Sequence, residues 1–283
     1  MRSALICSGL AMIGTACGER AASSVDAPPV ISDADAADAA DAAIAGCDEP
    51  FAVKAATSPP FAGTVFIDPD VIRSDEASSF AGLQYTGQGQ RTMFDRRTNS
   101  FNTVNAHLFA VRFGTSKMVE VQVNPEFARA DAEVQATFYS QAIGRMPGFL
   151  FRDVQTVWIH VGKFPFGGGN NNLLIHTAQG EEYSAMGVLE ETFLHEGAHT
   201  SLDLHHATKP RWLEAQQADG TFVSSYARDF PDREDVAETL VPYLAVRFRA
   251  DRIDAATATA IQDAIPARLK YFDCEGLTMN VLP

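Results

Sequence analysis

The stretch Leu189–His206, which reads LEETFLHEGAHTSLDLHH, decides how this chain is expected to fold. Its apolar residues recur at helical spacing, which predicts a mostly buried helix over about residues 185–202. In that helix His195 and His199 lie one turn apart on the same face, so a single metal ion can bind a ring nitrogen of each. Glu196 is rotated by about 100° from His195 and can contact a water molecule on that ion.

The His-Glu-x-x-His spacing is the one used by zinc hydrolases, in which the glutamate acts as general base. The competing interpretation makes His195 and His199 ordinary hydrogen-bonded residues of a buried helix. That arrangement is costly, because two histidines and an acid on an apolar helix need partners once they leave water. The sequence therefore predicts a Zn²⁺ site on this helix.

A third ligand is required, and the residues alone leave two candidates open. His205 lies ten residues after His195, as in the metzincin pattern, but Leu202 occupies the position of the glycine whose positive φ that pattern needs. The other candidate is Glu234, which has Glu238 one helical turn further on. Glu238 could then accept a hydrogen bond from the far nitrogen of a ligand histidine.

The sequence HEGAH followed by a distal Glu-Asp-x-Ala-Glu over residues 234–238 resembles the gluzincin metallopeptidases, and in particular their lethal-factor-like branch. That branch also carries a tyrosine several residues before the ligand glutamate, and Tyr226 lies eight residues before Glu234. The resemblance covers roughly residues 158–248. It implies an α+β, zincin-like domain with a small mixed sheet and an active-site helix.

The resemblance also implies a mechanism, peptide-bond hydrolysis by zinc-activated water. His195, His199 and Glu234 would hold zinc, Glu196 would be the general base, and Tyr226 would donate a hydrogen bond to the oxyanion. The strand NLLIHT, residues 172–177, would be the edge strand that lies antiparallel to the peptide substrate. Two alternatives remain, a non-catalytic surface or interaction protein that keeps a zincin fold, and a zinc hydrolase of a non-peptide amide. The presence of Glu196 argues against the non-catalytic alternative, because a protein that keeps only the fold has no chemical need for an acid at this position.

The N-terminus predicts export. Met1-Arg2 and the apolar stretch up to Ala16 have the layout of a secretory signal over residues 1–16. Cys17 follows directly, where a lipoprotein signal puts its acylated cysteine, although Gly14 stands in place of the usual leucine. The protein is thus expected to be lipid-anchored in the bacterial cell envelope, with secretion as the alternative, and to meet the membrane only through this anchor.

Residues 17–50 are rich in Asp and Ala and are expected to form a disordered tether. The full chain has a formal net charge of −14, and residues 50–283 keep 20 basic and 28 acidic residues, a net −8. This acidity argues against a nucleic-acid partner. Cys47 and Cys274 are expected to form a disulfide in an exported chain. A monomer that acts on a peptide or protein is expected.

Residues 51–283 are expected to form one catalytic domain, with a β-rich portion over 51–128 and a metal-site portion over 129–283. The glycine-rich loop at 163–172 is expected to be a mobile hairpin connection, or else a flap beside a substrate groove. Strand patterns occur at 63–72, 105–113, 118–124, 154–162 and 173–177. Helix patterns occur at 132–146, where Asp131 is the expected cap and Pro147-Gly148 the end, and at 211–218, 231–248 and 257–272, with a bend or break near Pro242.

Overall fold

The computed structural model describes residues 46–65 and 71–283. The predicted signal, Cys17 and the predicted tether up to residue 45 lie outside these residues, as do residues 66–70, half of the predicted strand at 63–72. Residues Pro50–Pro283 form one compact unit. Cys47 and Cys274 are both disulfide-bonded. None of the helices in the described part of the chain has the length and apolar composition needed to cross a lipid bilayer.

The fold is mixed α+β, as predicted, and is built on one six-stranded mixed sheet with the order β1-β2-β3-β4-β6-β5. The strands are β1 (Phe80–Asp95), β2 (Ser100–Phe113), β3 (Lys117–Val123), β4 (Thr156–His160), β5 (Gly167–Gly169) and β6 (Asn172–His176). The described helices are α1 (Arg129–Ile143), α2 (Thr177–Ala185), α3 (Leu189–Ser201), α4 (Asp203–His206), α5 (Pro210–Asp219), α6 (Ser225–Asp229), α7 (Pro231–Phe248), α8 (Ala255–Ala264) and α9 (Pro266–Cys274).

Neighbouring strands are antiparallel in one part of the sheet and parallel in another. Strands β1, β2 and β3 are antiparallel, β3 pairs with β4 and β4 with β6 in parallel, and β5 pairs antiparallel with β6. Because β3 precedes residue 128 and β4 follows it, a single sheet joins the two portions that the sequence suggested. The buried apolar side chains of the described strands and helices form one main core. Helix α1 packs on β1, β2 and β3, and α3 packs on β5 and β6.

Several strand predictions are confirmed and others are corrected. The pair at 105–113 and 118–124 is present, as are the strands at 154–162 and 173–177. The described ends of the 63–72 stretch, residues 63–65 and 71–72, are not in strands. The glycine-rich segment contains strand β5 and is not simply a loop. Residues 172–177 were expected to supply the sheet edge, but β6 lies inside the sheet and β5 occupies the edge.

The helix boundaries differ from the expected ones for local reasons. Helix α1 begins after Ala128, so Asp131 lies in its first turn and is not its cap, and it ends at Ile143, before Pro147. The motif helix begins at Leu189 and not near residue 185, because Gly187 has φ of +71° and separates it from α2. Helix α7 continues unbroken past Pro242. The stretch 257–272 forms two helices that meet at Pro266.

Candidate metal centre

Helix α3 holds the His-Glu-x-x-His sequence between the sheet and α7. Its apolar side chains are buried in the main core, which fixes the rotation of the helix: Leu189, Phe193, Leu194 and Ala198, with Leu202 just beyond its end. Two acidic residues in its first turn, Glu190 and Glu191, suit the positive end of the helix dipole. This rotation turns His195 and His199 towards α7, which packs against α3.

His195, His199 and Glu234 form one buried group that could hold a metal ion. The Nε2 atoms of the two histidines are 3.1 Å apart. Oε2 of Glu234 lies 3.1 Å from Nε2 of His199 and 3.5 Å from Nε2 of His195. Three donor atoms from two helices therefore converge on one point, although Glu234 is 35 residues beyond His199 in the chain.

The charges in this group stabilise one another. Burial alone would lower the pKa of His199, but hydrogen bonds to Asp203 and Glu234 raise it to about 10. Burial also opposes the charged form of His195, yet its contact with Glu234 gives a net raised pKa. Burial would raise the pKa of Glu234, but the two histidines hold it well below its usual range. The three side chains together thus favour a positive charge next to the Glu234 carboxylate. A metal cation would compete with protons for the two histidines.

Two further carboxylates lie behind the histidine ligand candidates. Oδ2 of Asp203 is 2.7 Å from Nδ1 of His199, so it can fix the tautomer that leaves Nε2 free for a metal. Oε1 of Glu238 is 3.5 Å from Nδ1 of His195, on the side where the sequence expected this partner. Oε2 of Glu238 accepts a hydrogen bond of 2.6 Å from the hydroxyl of Ser224. Asp203 was not predicted, although it lies four residues after His199, the spacing at which side chains one helical turn apart can pair.

Tyr226 contacts the metal-ligand candidate Glu234 directly. Ser224 caps α6 by accepting a hydrogen bond from the backbone of Ala227, which places Tyr226 in the first turn of that helix. The Tyr226 hydroxyl donates to Oε1 of Glu234 at 3.1 Å. Burial and the charge of Glu234 raise the pKa of Tyr226 to about 12, so the hydroxyl keeps its proton and remains a donor.

Glu196 is half-buried and lies on the part of α3 that contacts the edge strand. A Cβ atom on Gly168 would lie 2.0 Å from the carbonyl oxygen of Glu196, so only glycine allows β5 to come this close to the helix. The hydroxyl of Thr200 accepts from the amide of Gly169 at 2.8 Å, and its one proton is shared between the backbone oxygens of Glu196 and Asn172, each 2.9 Å away. The glycine segment and the motif helix therefore form one packed unit at the level of Glu196.

The remaining histidines are engaged elsewhere. Nε2 of His205 is 2.7 Å from Asp153, and Nδ1 of His206 is 2.7 Å from the hydroxyl of Tyr271. The group of described residues that could hold a metal ion does not include His205. The strand histidines His160 and His176 stack on each other at the ends of β4 and β6, 5.4 Å between ring centroids.

Glu191, which lies one turn before His195, accepts hydrogen bonds from the backbone amides of Val71 and Ile72. Trp212 is buried in the core. Comparison of the chain with protein-family models, curated proteins and solved structures found no match. The function of this chain is therefore inferred from its own residues and their geometry.

Proposed function

We propose that this protein is an exported, zinc-dependent metallopeptidase of the gluzincin type with a zincin-like fold. The observation that carries the proposal is the convergence of His195, His199 and Glu234, with Glu196 on the same helix as the two histidines. Export, with a lipid anchor on Cys17 in the bacterial cell envelope, is part of the proposal and derives from the sequence alone.

Zinc is the metal that this donor set fits best. Zinc bonds of 2.0 to 2.1 Å at tetrahedral angles separate neighbouring donor atoms by about 3.3 Å. The three separations among His195, His199 and Glu234 are 3.1, 3.1 and 3.5 Å. Two imidazole nitrogens and one carboxylate oxygen suit zinc, whereas calcium and magnesium prefer sets made of oxygen. Three protein ligands leave a fourth position for water, which is typical of catalytic zinc sites.

The residues around the metal centre suit hydrolysis of an amide bond. Zinc, when bound, would lower the pKa of a water molecule to about 7 and polarise the substrate carbonyl. Glu196 would accept the proton of the attacking water and deliver it to the leaving amine. The Tyr226 hydroxyl, now 3.1 Å from Glu234, would turn to donate a hydrogen bond to the developing oxyanion.

Strand β5 supplies an edge on which an extended peptide could bind. It ends the strand order next to β6, and its outer side has no strand partner among the described residues. An extended peptide can add to such an edge through backbone hydrogen bonds. Because β5 consists of Gly167, Gly168 and Gly169, it would bring the peptide close to α3 without side chains in the way.

Metal analysis and three variants test the proposal. The purified protein should contain about one zinc per chain. Glu234→Ala should lose the metal, whereas the matched variant His205→Ala should keep it. Glu196→Gln should keep zinc and lose cleavage of a peptide library. A well-folded protein without metal affinity would refute the enzyme and favour an interaction protein, and loss of zinc only in His205→Ala would favour the metzincin type of site.

The peptide library also distinguishes the two hydrolase alternatives. The wild-type protein loaded with zinc should cleave at least one class of peptides, and the Glu196→Gln protein should cleave none. Cleavage of small acyl amides without cleavage of any peptide would move the activity to non-peptide amides. Unchanged turnover in the Glu196 variant would remove this residue as the general base.

A further inference from the structure

An arginine lies beside the metal centre and has no part in the proposed hydrolysis. Arg233 precedes the ligand candidate Glu234, and its Nε donates to Oε1 of Glu234 at 2.8 Å. Its guanidinium lies over the ring of Phe230, 4.8 Å from the centroid. The side chain is 58% exposed, so the group is held on two sides and still faces solvent.

Holding Glu234 in place does not fully account for Arg233. Oε1 of Glu234 already accepts a hydrogen bond from Tyr226, and Oε2 is the oxygen that faces the histidines. Arg233 also lies in the first turn of α7, where the helix dipole disfavours a cation. A guanidinium has five N–H donors, and the contact with Glu234 engages one of them.

The surroundings of Arg233 prepare it to bind an anion. The ring of Phe230 is 38% exposed and packs edge-to-face on Tyr226, with 5.2 Å between ring centroids. The guanidinium group thus rests on an aromatic ring, which lowers the entropy lost when it binds a ligand. Residues 50–283 have a net charge of −8, so a preorganised cation next to a metal ligand contrasts with the chain as a whole.

We propose that Arg233 selects substrates that carry a carboxylate close to the scissile bond. Arginine recognises carboxylates through parallel N–H donors in a planar fork, and this group is the matching substrate chemistry. The carboxylate can be an Asp or Glu side chain or the C-terminal carboxylate of a short peptide. This inference rests on the proposed peptidase function and adds its substrate class.

Paired peptides test the inference. One series carries a single Glu at each of the three positions on either side of the scissile bond, with Gln as the uncharged isostere. A second series compares short peptides that end in a free carboxylate with the same peptides as C-terminal amides. At one position, wild-type kcat/KM should be about tenfold higher for the carboxylate, the effect of one charge-assisted hydrogen bond. The series in which the preference occurs identifies the source of the carboxylate.

Arg233→Gln should bring this ratio close to one, while the matched variant Arg228→Gln should keep it. Arg228 is an exposed arginine on α6 that pairs with Asp229. Each ratio is measured within one variant at saturating zinc, so it does not depend on the fraction of active protein. If Arg233→Gln is wholly inactive, Arg233→Lys decides the question: the loss of the planar fork should reduce the ratio at least about threefold.

The outcomes separate the inference from the proposed function. A wild-type protein that binds zinc but cleaves no peptide contradicts the peptidase itself. A wild-type protein that cleaves carboxylate and neutral peptides equally well overturns only the role of Arg233. So does a preference that persists in Arg233→Gln, or one that is equally lost in Arg228→Gln. An unchanged ratio in Arg233→Lys overturns it as well.

Discussion

Replacing Asp203 with asparagine should lower the affinity of the metal centre for zinc by about tenfold. Oδ2 of Asp203 lies 2.7 Å from Nδ1 of His199, and its negative charge makes the opposite ring nitrogen a better ligand. Such partners typically contribute 10- to 100-fold to metal affinity, or about 1.4 to 2.8 kcal/mol. The Asp203 side chain is 24% exposed, so solvent screens part of its charge, and the lower end of this range is expected.

The chain contains a matched control for this substitution. Asp153 makes the same 2.7 Å contact with a histidine, His205, and its side chain is 26% exposed. His205 does not belong to the group that could hold a metal ion, so Asp153→Asn should change zinc affinity less than about twofold. Both variants keep the size of the side chain and an acceptor oxygen, so the comparison isolates the charge behind each histidine.

The assay is a zinc competition between metal-depleted protein and a chromophoric chelator at pH 7.5. Unfolding curves of the metal-depleted proteins establish that both variants fold. Equal losses of affinity in the two variants would show that any carboxylate paired with a histidine has this effect, and would refute the reasoning about Asp203. A loss confined to Asp153→Asn would instead make His205 a ligand and remove Glu234 from that role.

Three further outcomes are expected from the packing and the charges. Gly168→Ala should destabilise the fold by about 1 to 3 kcal/mol in urea unfolding and reduce cleavage, because the new Cβ meets the carbonyl oxygen of Glu196. Arg268→Ala should lower the free energy of unfolding by about 3 to 5 kcal/mol, because it leaves the fully buried Asp219 and Asp235 without their cation. A loss of stability below about 1 kcal/mol would contradict this. In the metal-depleted protein the raised pKa of His199, about 10, stabilises the fold fully below pH 6.5, and this contribution is lost as the pH rises to 10. The difference in unfolding free energy between wild type and His199→Asn should therefore shrink over that window, and a difference that stays constant would contradict the charge assignment.

The motif helix α3 was predictable because the residues that identify it lie close together in the sequence. The spacing of His195 and His199 needs only the helical repeat, and the buried apolar residues of α3 supply the rotation. Glu234 was harder to predict, since 35 residues separate it from His199. The residues alone left it open beside His205, and the resemblance to the gluzincins favoured it. Asp203 lies within reach of the same helical spacing, but an acid beside a histidine is too common a pattern to stand out by itself.

The edge strand could not be predicted from its own residues. Gly167, Gly168 and Gly169 have low strand propensity, and a run of glycine normally indicates a turn or a loop. The segment is a strand because β6 pairs with it on one side and α3 packs on it too closely for any side chain at Gly168. Tertiary packing therefore determines this element, and a pattern of residue types along one chain does not contain that information.

The long hairpin of β1 and β2 shows a similar limit. The pattern at 105–113 was recognised because its residue types alternate, but β2 begins at Ser100 and pairs with β1 along nearly its whole length. The part not recognised is rich in Gly, Gln and Thr, and its side chains are largely outside the core. Pairing through backbone hydrogen bonds leaves little trace in the order of residue types.

The backbone conformation at Leu202 bears on which of the two third-ligand candidates, His205 or Glu234, can reach the other two residues. Leu202 has φ of −117° and ψ of −41°, so the chain does not make the left-handed turn that the metzincin glycine provides. The chain enters the short helix α4 instead. His205 lies within hydrogen-bonding distance of Asp153 and is not part of the group that could hold a metal ion. The same path places Asp203 behind His199. The conformation at Leu202 is thus consistent with a candidate metal group that excludes His205 and takes its third member, Glu234, from α7.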